Sequence, residues 1–177
     1  MSLNFKSVFE QMQIALRRNP SAARACFKAA TRQISGLRSQ ATIRQFELDV
    51  DEPPALAGTD QGPNPVELIL AALGTCQEIT YRLYAEKMGI ELHHVAVDIK
   101  GDIDLRGFFA VDENTRPGFE SIKASVTLDS PASEQELTRL HEAVEAHCPV
   151  LDILSKPTPV KVETSRTSVE QLASAVV

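Results

Sequence analysis

Two cysteines have the residue type and the surroundings that chemistry requires in this chain. Cys76 lies in an apolar segment beside Gly74 and Thr75, whose small side chains leave room around a thiol. Cys148 directly precedes Pro149, and a helix that begins there would favour the thiolate, which is the nucleophilic form of cysteine. Each thiol taken alone is either an inert core residue or a nucleophile. Together they would form a dithiol pair, but 72 positions separate them, and the two-residue spacing of thioredoxin-type sites is absent.

Metal and phosphate chemistry find little support in the remaining residues. His93 and His94 are adjacent in a predicted strand and therefore point to opposite faces, while His141 and His147 are six positions apart. No spacing resembles a zinc module, a glycine-rich phosphate loop or a nucleophile elbow. We therefore predict no metal and no cofactor. An unrelated hydrolase or a structural dimer stays open only because one fold tolerates many functions.

Composition indicates an ordinary globular protein in a reducing compartment. Of the 177 residues, 43% are hydrophobic and 24% are charged, which favours one folded domain, with or without an appendage. A net charge of −6 and a pI near 5.2 argue against a nucleic-acid binder. The N-terminus lacks the long apolar run of a secretory signal, and three cysteines without such a signal are typical of free thiols. We predict a cytoplasmic protein that binds neither nucleic acid nor membrane.

The longest coherent element is a predicted helix from Asn64 to Gly89, which carries Cys76. Asn64 is a good N-cap, a proline follows it at the first helical position, and Glu67 completes a capping box. Gly89 is a typical C-terminal stop. Only one charge lies between Val66 and Cys76, so the first three turns are predicted to be buried on most sides. This apolar part is too short to span a membrane.

Residues 1–38 are predicted to form a helical N-terminal extension of two helices. The first is indicated by apolar residues that recur at intervals of three and four, namely Phe5, Val8, Phe9, Met12 and Leu16. An Asn-Pro pair breaks this pattern, and a second helix is predicted over residues 21–36. Cys26, beside Phe27 on the apolar side of that helix, is predicted to be a buried structural thiol.

Residues 39–164 mix strand and helix patterns, which predicts an α+β domain. A period of two predicts strands over residues 39–50, 92–104, 119–128 and 156–163. A capping box at Ser133 and Glu136 begins a helix, which Pro149 interrupts before a short second helix. Residues 165–177 form a C-terminal tail with a short helical pattern that either docks or frays.

Two features of this domain have both a functional and a purely structural interpretation. Arg44 shares the apolar face of the first strand. It either meets a carboxylate, a backbone cluster or an anion, or lies near the strand end and reaches solvent. Phe108 and Phe109, in an irregular segment after the second strand, either fill a gap in the core or cover a site. The sequence leaves both pairs of alternatives open.

Two motifs resemble the OsmC/Ohr family of cysteine peroxidases. The segment GPNPVELILAALGTC leads the long helix, HCPVLDIL precedes a final strand, here PVKVE, and two alternating strands lie between them. The resemblance covers residues 39–163. It implies an OsmC-like fold, in which antiparallel sheets pack around long central helices in an intertwined homodimer. It also implies two sites at the subunit interface.

The resemblance further implies roles for individual residues. Cys76 would be the peroxidatic thiol, Cys148 the resolving thiol, and Arg44 the strand arginine that stabilises the thiolate. An organic hydroperoxide would convert Cys76 to a sulfenic acid, and a Cys76–Cys148 disulfide would follow. A small or protein dithiol, for instance of the lipoyl type, would then reduce that disulfide. Apolar surroundings would favour lipid-like or aromatic hydroperoxides, and the candidates are Leu73, Ile79, Phe108 and Phe109.

One position departs from the family pattern. Peroxidases of this family carry a glutamate directly after the Asn-Pro pair, ten residues before the first cysteine, and here that position is Val66. Glu67 is nine residues before Cys76, so at about 100° per residue it lies roughly opposite Cys76 on the helix and fits the capping box better. The alternative function is therefore an OsmC-like stress-related or binding protein with weak or no peroxidase activity.

Overall fold

A computed structural model describes residues 5–166 as an α+β protein with two small antiparallel sheets, which confirms the predicted fold class. The helices are α1 Phe5–Arg18, α2 Pro65–Met88, α3 Leu105–Phe108, α4 Glu134–His147 and α5 Pro149–Ser155. The strands are β1 Ala30–Ser35, β2 Arg38–Ile43, β3 Phe46–Val50, β4 His94–Ile103 and β5 Phe119–Asp129. Single 3₁₀ turns cover Pro20–Ala23 and Pro54–Leu56.

Helix α2 begins and ends where the sequence predicts, because its caps are built from neighbouring residues. The Asn64 side chain accepts the backbone N–H of Glu67 at 2.9 Å, and the Glu67 carboxylate accepts the N–H of Asn64 at 2.8 Å. Gly89 ends the helix with a φ of 69°, the left-handed conformation that glycine adopts without a steric penalty. Glu67 is thus engaged in the predicted capping box.

The core lies between α2, α4 and the start of β4. Its most deeply buried side chains are at most 1% exposed and come from α2 and α4, together with the residue after α4: Tyr81, Ala85, Leu140, Val144 and Cys148. Strands β4 and β5 pair in antiparallel register, with Val97 opposite Val126. These strands agree within two residues with the predictions for 92–104 and 119–128. Since α2 packs on β4 and on α4, the long helix connects the sheet to the segment that carries Cys148.

The predicted second N-terminal helix is wrong. Beyond the 3₁₀ turn Pro20–Ala23 the chain is extended, and β1 at Ala30–Ser35 pairs with β2 through a turn in which Gly36 has a φ of 54°. Cross-strand hydrogen bonds to β2 override the helical spacing of these residues. Cys26 is exposed rather than buried, because no helix forms around it, and its neighbour Phe27 is 93% exposed.

The predicted strand over residues 39–50 is two strands joined by a two-residue turn. Ile43 at the end of β2 pairs directly with Phe46 at the start of β3. Arg44 occupies the turn with a φ of 56°, a left-handed conformation that is uncommon for a residue with a side chain. The Arg44 guanidinium is exposed and lies 5.1 Å from the centre of the Phe46 ring. Of the two interpretations of Arg44, the solvent-facing one applies within this chain.

The predicted last strand over residues 156–163 is also wrong. Residues 156–166 form neither strand nor helix, and Val160 and Val162 are each 81% exposed. A strand needs a neighbouring edge for its backbone hydrogen bonds, and within residues 5–166 this segment pairs with none. Of the predicted tail 165–177, all but its first two residues lies outside the described residues.

The β1–β2–β3 sheet makes its extensive contacts within itself, as far as residues 5–166 show. Large apolar side chains on its strands and turns are more than one-third exposed, namely Ile34, Leu37, Ile43, Phe46 and Leu48. Of these, Ile43, Phe46 and Leu48 share one face of the sheet, and an exposed apolar face is typical of an interaction site. In the same part of the chain, no helix is long and apolar enough to cross a membrane.

Candidate active site

The structure brings Cys76 and Cys148 together. Their sulfur atoms lie 3.4 Å apart, about 1.4 Å longer than a disulfide bond, and both thiols are free. Cys76 lies midway along α2 and is half-buried, whereas Cys148 is 1% exposed. The Cys148 thiol donates a hydrogen bond to the Cys76 sulfur. The packing of α4 against α2 therefore creates the dithiol pair that the sequence left open.

A helix break holds Cys148 in place. Cys148 is the C-cap residue of α4, and its backbone N–H donates to the Val144 carbonyl at 2.8 Å. The same residue is the N-cap of α5. Pro149 enforces the break, because the residue before a proline avoids helical geometry. Burial raises the pKa of the Cys148 thiol, as do the hydrogen bond and the charge of Cys76, while backbone N–H groups at the start of α5 act in the opposite direction. Cys148 therefore holds its proton more firmly than a free thiol.

An apolar cavity of about 490 Å³ opens beside Cys76. Its apolar lining comes from α1, α2 and the break after α4, through Phe9, Ala72, Ile79, Leu83 and Pro149. Thr75, Thr80, Tyr84 and His147 complete the lining. The Thr75 hydroxyl donates to the Ala71 carbonyl at 2.8 Å, and the Thr80 hydroxyl donates to the Cys76 carbonyl at 2.7 Å, so both hydroxyl protons bind the backbone. The cavity thus offers a hydrocarbon surface around one accessible sulfur atom.

His147 is the imidazole of this cavity. Its Nδ1 lies 2.8 Å from the Ala143 carbonyl, which can only accept, so Nδ1 carries the proton of that hydrogen bond. In the neutral ring Nε2 is then an acceptor. The ring centre lies 5.0 Å from that of Tyr84, and burial raises the pKa of the Tyr84 hydroxyl. His147 therefore brings an imidazole with one acceptor nitrogen to the lining of the Cys76 cavity.

Four of the predicted site residues do not line this cavity. Arg44 is in the β2–β3 turn, and Leu73 is buried beside a second cavity. Phe108 and Phe109 are 63% and 55% exposed and contact each other edge to face, with ring centres 5.1 Å apart. Ile79, the fourth apolar candidate, does line the Cys76 cavity. The lining of the Cys76 cavity within this chain thus includes Ile79 but not the other apolar candidates or Arg44.

Gly74 has a role different from the one its size suggests. A Cβ atom at Gly74 would meet Ile99 Cδ1 of β4 at 3.4 Å, which is an ordinary van der Waals contact. Gly74 does not line the Cys76 cavity, whereas Thr75 does. The small residue beside the cysteine therefore faces β4 and leaves no space at the thiol.

The second cavity, of about 650 Å³, lies on a neighbouring face of α2. Leu73 and Val66, the residue at the glutamate position of the family, both line it. The Tyr81 hydroxyl is hydrogen-bonded to His141 Nδ1, and the opposite ring nitrogen of His141 lies 3.6 Å from Glu145. Burial, and secondarily the charge of Glu145, raises the pKa of Tyr81 to about 12. This pair fastens α2 to α4, close to the two cysteines.

The residues that the sequence interpretation missed are Phe9, Leu83, Tyr84 and His147. Of these, His147 directly precedes Cys148, and that adjacency is a signal that sequence reasoning could have used. Phe9 lies 67 positions before Cys76, so no local pattern connects them. Among residues 5–166, no group of three or more His, Cys, Asp or Glu side chains is placed to hold a metal ion.

Comparison with family sequence models matches residues 58–163 to OsmC, described as OsmC-like protein. The chain belongs to the OsmC-like protein family. The matched residues, which are more than half of the chain, include both Cys76 and Cys148, and the resemblance predicted from the two motifs is confirmed. No curated protein matches the chain.

Solved structures share this fold at low sequence identity. An OsmC-like protein from Mycoplasma pneumoniae is 20% identical, with 74% of this chain and 88% of that chain covered and a TM-score of 0.66. An organic hydroperoxide resistance protein OsmC from Legionella pneumophila is 18% identical, with 74% and 91% covered and a TM-score of 0.58. An organic hydroperoxide resistance protein from Elizabethkingia anophelis is 19% identical, with 73% and 89% covered and a TM-score of 0.52. At these identities the similarity shows the OsmC-like fold.

Proposed function

We propose that this protein is a thiol peroxidase that reduces organic hydroperoxides. The observation that carries the proposal is the 3.4 Å separation of Cys76 and Cys148 at the wall of an apolar cavity. Two structural relatives named as organic hydroperoxide resistance proteins support it. Exposure assigns the roles, because Cys76 lines the cavity while Cys148 is buried behind it.

The reaction proceeds in two covalent steps. The Cys76 thiolate attacks the distal oxygen of the hydroperoxide, the O–O bond breaks, and the alkoxide takes a proton and leaves as an alcohol. Cys76 is then a sulfenic acid. The Cys148 sulfur attacks the Cys76 sulfur, water leaves, and a Cys76–Cys148 disulfide remains. An external dithiol returns two electrons and two protons, and a lipoyl-type dithiol is our candidate.

The order of these steps follows from the charges of the pair. Before the reaction, the Cys76 charge and the hydrogen bond to Cys76 help to raise the pKa of Cys148, so Cys148 stays protonated and donates to Cys76. Once Cys76 is a neutral sulfenic acid, its charge no longer opposes ionisation of Cys148. The backbone N–H groups of Val150 and Leu151 still favour the Cys148 thiolate. The sulfenic acid at Cys76 therefore makes ionisation of Cys148 easier than before the reaction, while burial, the largest cause of its raised pKa, still opposes it.

The lining of the cavity sets the substrate class. Ile79 and Leu83 of α2 and Phe9 of α1 present hydrocarbon surface next to the sulfur. Burial of an apolar tail contributes about 25 cal/mol per Å² of surface removed from water. Hydrogen peroxide has no such tail, so we propose that hydroperoxides with lipid-like or aromatic tails are the preferred substrates.

We further propose that the protein is a homodimer in which the β1–β2–β3 sheet packs on a second copy. The exposed apolar side chains of that sheet need a cover, and its own chain makes no extensive contact with it within the described residues. Intertwined sheets of this kind would also bring a strand arginine to the second copy's thiol. Arg44 is the arginine that the family resemblance implies. Arg38, half-buried in β2 and 3.1 Å from Asp49, is the alternative on the same sheet.

A cytoplasmic location is part of the same proposal. The cycle begins from two reduced thiols and ends in a disulfide that a dithiol must reopen, which requires a reducing compartment.

Size-exclusion chromatography with light scattering tests the dimer. Arg38→Ala and Arg44→Ala, assayed side by side, identify the arginine by a selective loss of turnover. Equal turnover in both variants and the wild type would remove the arginine from the proposal.

The peroxidase activity is tested by turnover and by trapping. With cumene hydroperoxide and a lipoyl-type dithiol, Cys76→Ser should lose all turnover, and Cys148→Ser should accumulate a sulfenic acid that a 1,3-dione reagent labels at residue 76. Cys26→Ser is the matched control, because Cys26 is exposed outside the site, and it should behave as the wild type. Turnover that persists in Cys76→Ser would refute the proposal.

A second candidate is an OsmC-like stress-related or binding protein with little peroxidase activity. Val66 favours it, because the family peroxidases carry a glutamate at that position, and because Val66 lines the second cavity and not the Cys76 cavity. Val66→Glu should raise turnover if the missing carboxylate is what limits the chemistry. Unchanged turnover in this variant would leave the second candidate without its main support.

A further inference from the structure

Helix α1 lies outside the residues that match the OsmC-like family, yet it forms one wall of the Cys76 cavity. The helix packs along α2, and its two phenylalanines one turn apart face that helix. Phe9 lines the cavity of Cys76, and Phe5 lines a smaller adjoining cavity of about 350 Å³ together with Ile79 and Leu83. Since Ile79 and Leu83 line both cavities, α1 covers the surface of α2 that leads to the thiol.

A row of ring contacts holds Phe9 over this surface. The Phe9 ring meets Tyr84 edge to face with centres 5.5 Å apart, and Tyr84 in turn lies 5.0 Å from the His147 ring. The Lys87 ammonium lies 5.2 Å from the Phe9 ring centre and 5.0 Å from that of Tyr84. Such cation–ring contacts favour one docked position of the helix. The row therefore runs from α1 to the residue that precedes Cys148.

The attachment of α1 is nevertheless shallow. No residue of α1 is fully buried. Val8, Met12 and Ile14 are about half exposed, and Leu16 is half-buried. The segment that follows contains the 93% exposed Phe27 and enters no sheet before β1. Elements with few buried apolar contacts open locally at a small fraction of the free energy of global unfolding. The contacts of helix α1 are therefore those of an element that can dissociate from α2 without unfolding of the core.

We propose that α1 is a cap on the Cys76 cavity and that Phe9 determines which molecules reach the thiol. In the docked position Phe9 narrows the entrance, so slender unbranched molecules enter and bulky ones wait for α1 to lift. Applied to the reaction, and here the inference rests on the proposed peroxidase function, unbranched alkyl hydroperoxides react faster than cumene hydroperoxide. Phe9 is thus a specificity-determining residue contributed by a segment outside the family match.

The cap is tested without any peroxide, by the alkylation rate of Cys76 in the full chain with Cys26→Ser and Cys148→Ser. Iodoacetamide is the small reagent and a pyrene maleimide the bulky one. Phe9→Ala should raise the bulky-reagent rate about tenfold and change the small-reagent rate less than about twofold. Val8→Ala is the matched control, because Val8 is on α1 but is 56% exposed and lies outside the cavity. Its ratio of bulky-reagent rate to small-reagent rate should equal that of the parent.

Phe9→Trp keeps the test decisive if Phe9→Ala loosens the fold. The larger ring should lower the bulky-reagent rate, so the two substitutions at one position act in opposite directions. Equal rate ratios in the parent, Phe9→Ala and Phe9→Trp would overturn the cap. Size selection in alkylation without hydroperoxide turnover would keep the cap and refute the peroxidase. Hydroperoxide turnover without size selection in alkylation would refute the cap and keep the peroxidase.

Discussion

Oxidation of the Cys76–Cys148 pair should stabilise the protein, and the size of the effect follows from the chain between the two sulfurs. A disulfide here closes a loop of about 70 residues, and the loss of chain entropy in the unfolded state then amounts to about 4 kcal/mol at 25 °C. The folded state needs little rearrangement, because the sulfurs already lie 3.4 Å apart. Most of this free energy should therefore appear as added stability.

The gain translates into a melting-temperature shift. At about 2.1 cal/mol/K of unfolding entropy per residue, a chain of 177 residues has about 0.37 kcal/mol/K, so about 4 kcal/mol raises Tm by about 10 °C. The rise should appear after one equivalent of cumene hydroperoxide and vanish after dithiol reduction. It is larger than the shift expected from a single surface contact.

Differential scanning calorimetry at one fixed protein concentration measures this shift, because Tm of the proposed dimer would depend on concentration. Cys148→Ser treated in the same way should show no rise, while Cys26→Ser should match the wild type. Mass spectrometry of the same samples maps the disulfide. A mapped Cys76–Cys148 bond without a rise in Tm would refute the energetic reasoning. A similar rise in Cys148→Ser would show that another oxidation product is responsible.

Three further predictions concern the packing that positions the thiols. Below pH 10, Tyr81→Phe should lower the free energy of unfolding by about 1 kcal/mol, because the variant lacks the hydroxyl that bonds to His141. Because the folded-state pKa of Tyr81 is raised from 10.0 to about 12, the wild type loses about 2 kcal/mol between pH 10 and 12. Urea titrations should therefore show the order of stability reversing near pH 11, and a constant difference would contradict this. Leu140→Ala should lower the free energy of unfolding by about 2–5 kcal/mol, since Leu140 is fully buried between α4 and α2. The same substitution should slow disulfide formation. A cost under about 1 kcal/mol would show that the site collapses around the gap. Gly74→Ala should stabilise α2 by up to about 1 kcal/mol, because the new methyl group only touches Ile99, and a lower Tm would refute this.

Where sequence interpretation failed, the missing information was which strand edge, if any, each segment pairs with. Residues 30–35 have spacing that suits a helix, but their backbone hydrogen bonds go to β2 across a turn at Gly36. Residues 156–163 alternate like a strand, yet among residues 5–166 they have no strand edge to pair with. Arg44 was assigned to a strand face by counting, and a two-residue turn removed it from that face. A strand pattern states what a segment can do, whereas pairing depends on which neighbour the fold supplies.

Local sequence accounts for the features that arise within a few residues. The start of α2 at Asn64, its end at Gly89, the capping box at Ser133 and the break at Pro149 all lie where local hydrogen bonding and proline geometry put them. The family could also be recognised, because each of its two motifs is an uninterrupted stretch of residues. These local features orient the helix that carries Cys76 and the break that carries Cys148.

The pairing of the two thiols, in contrast, depends on tertiary packing. The 71 residues between them include β4, β5 and α4, and the sulfurs meet because Leu140 and Val144 pack α4 against α2. The same packing selected the lining of the cavity and brought in Phe9 from a helix that no family motif includes. Packing depends on the shapes of surfaces distant in sequence, and no local pattern encodes those surfaces.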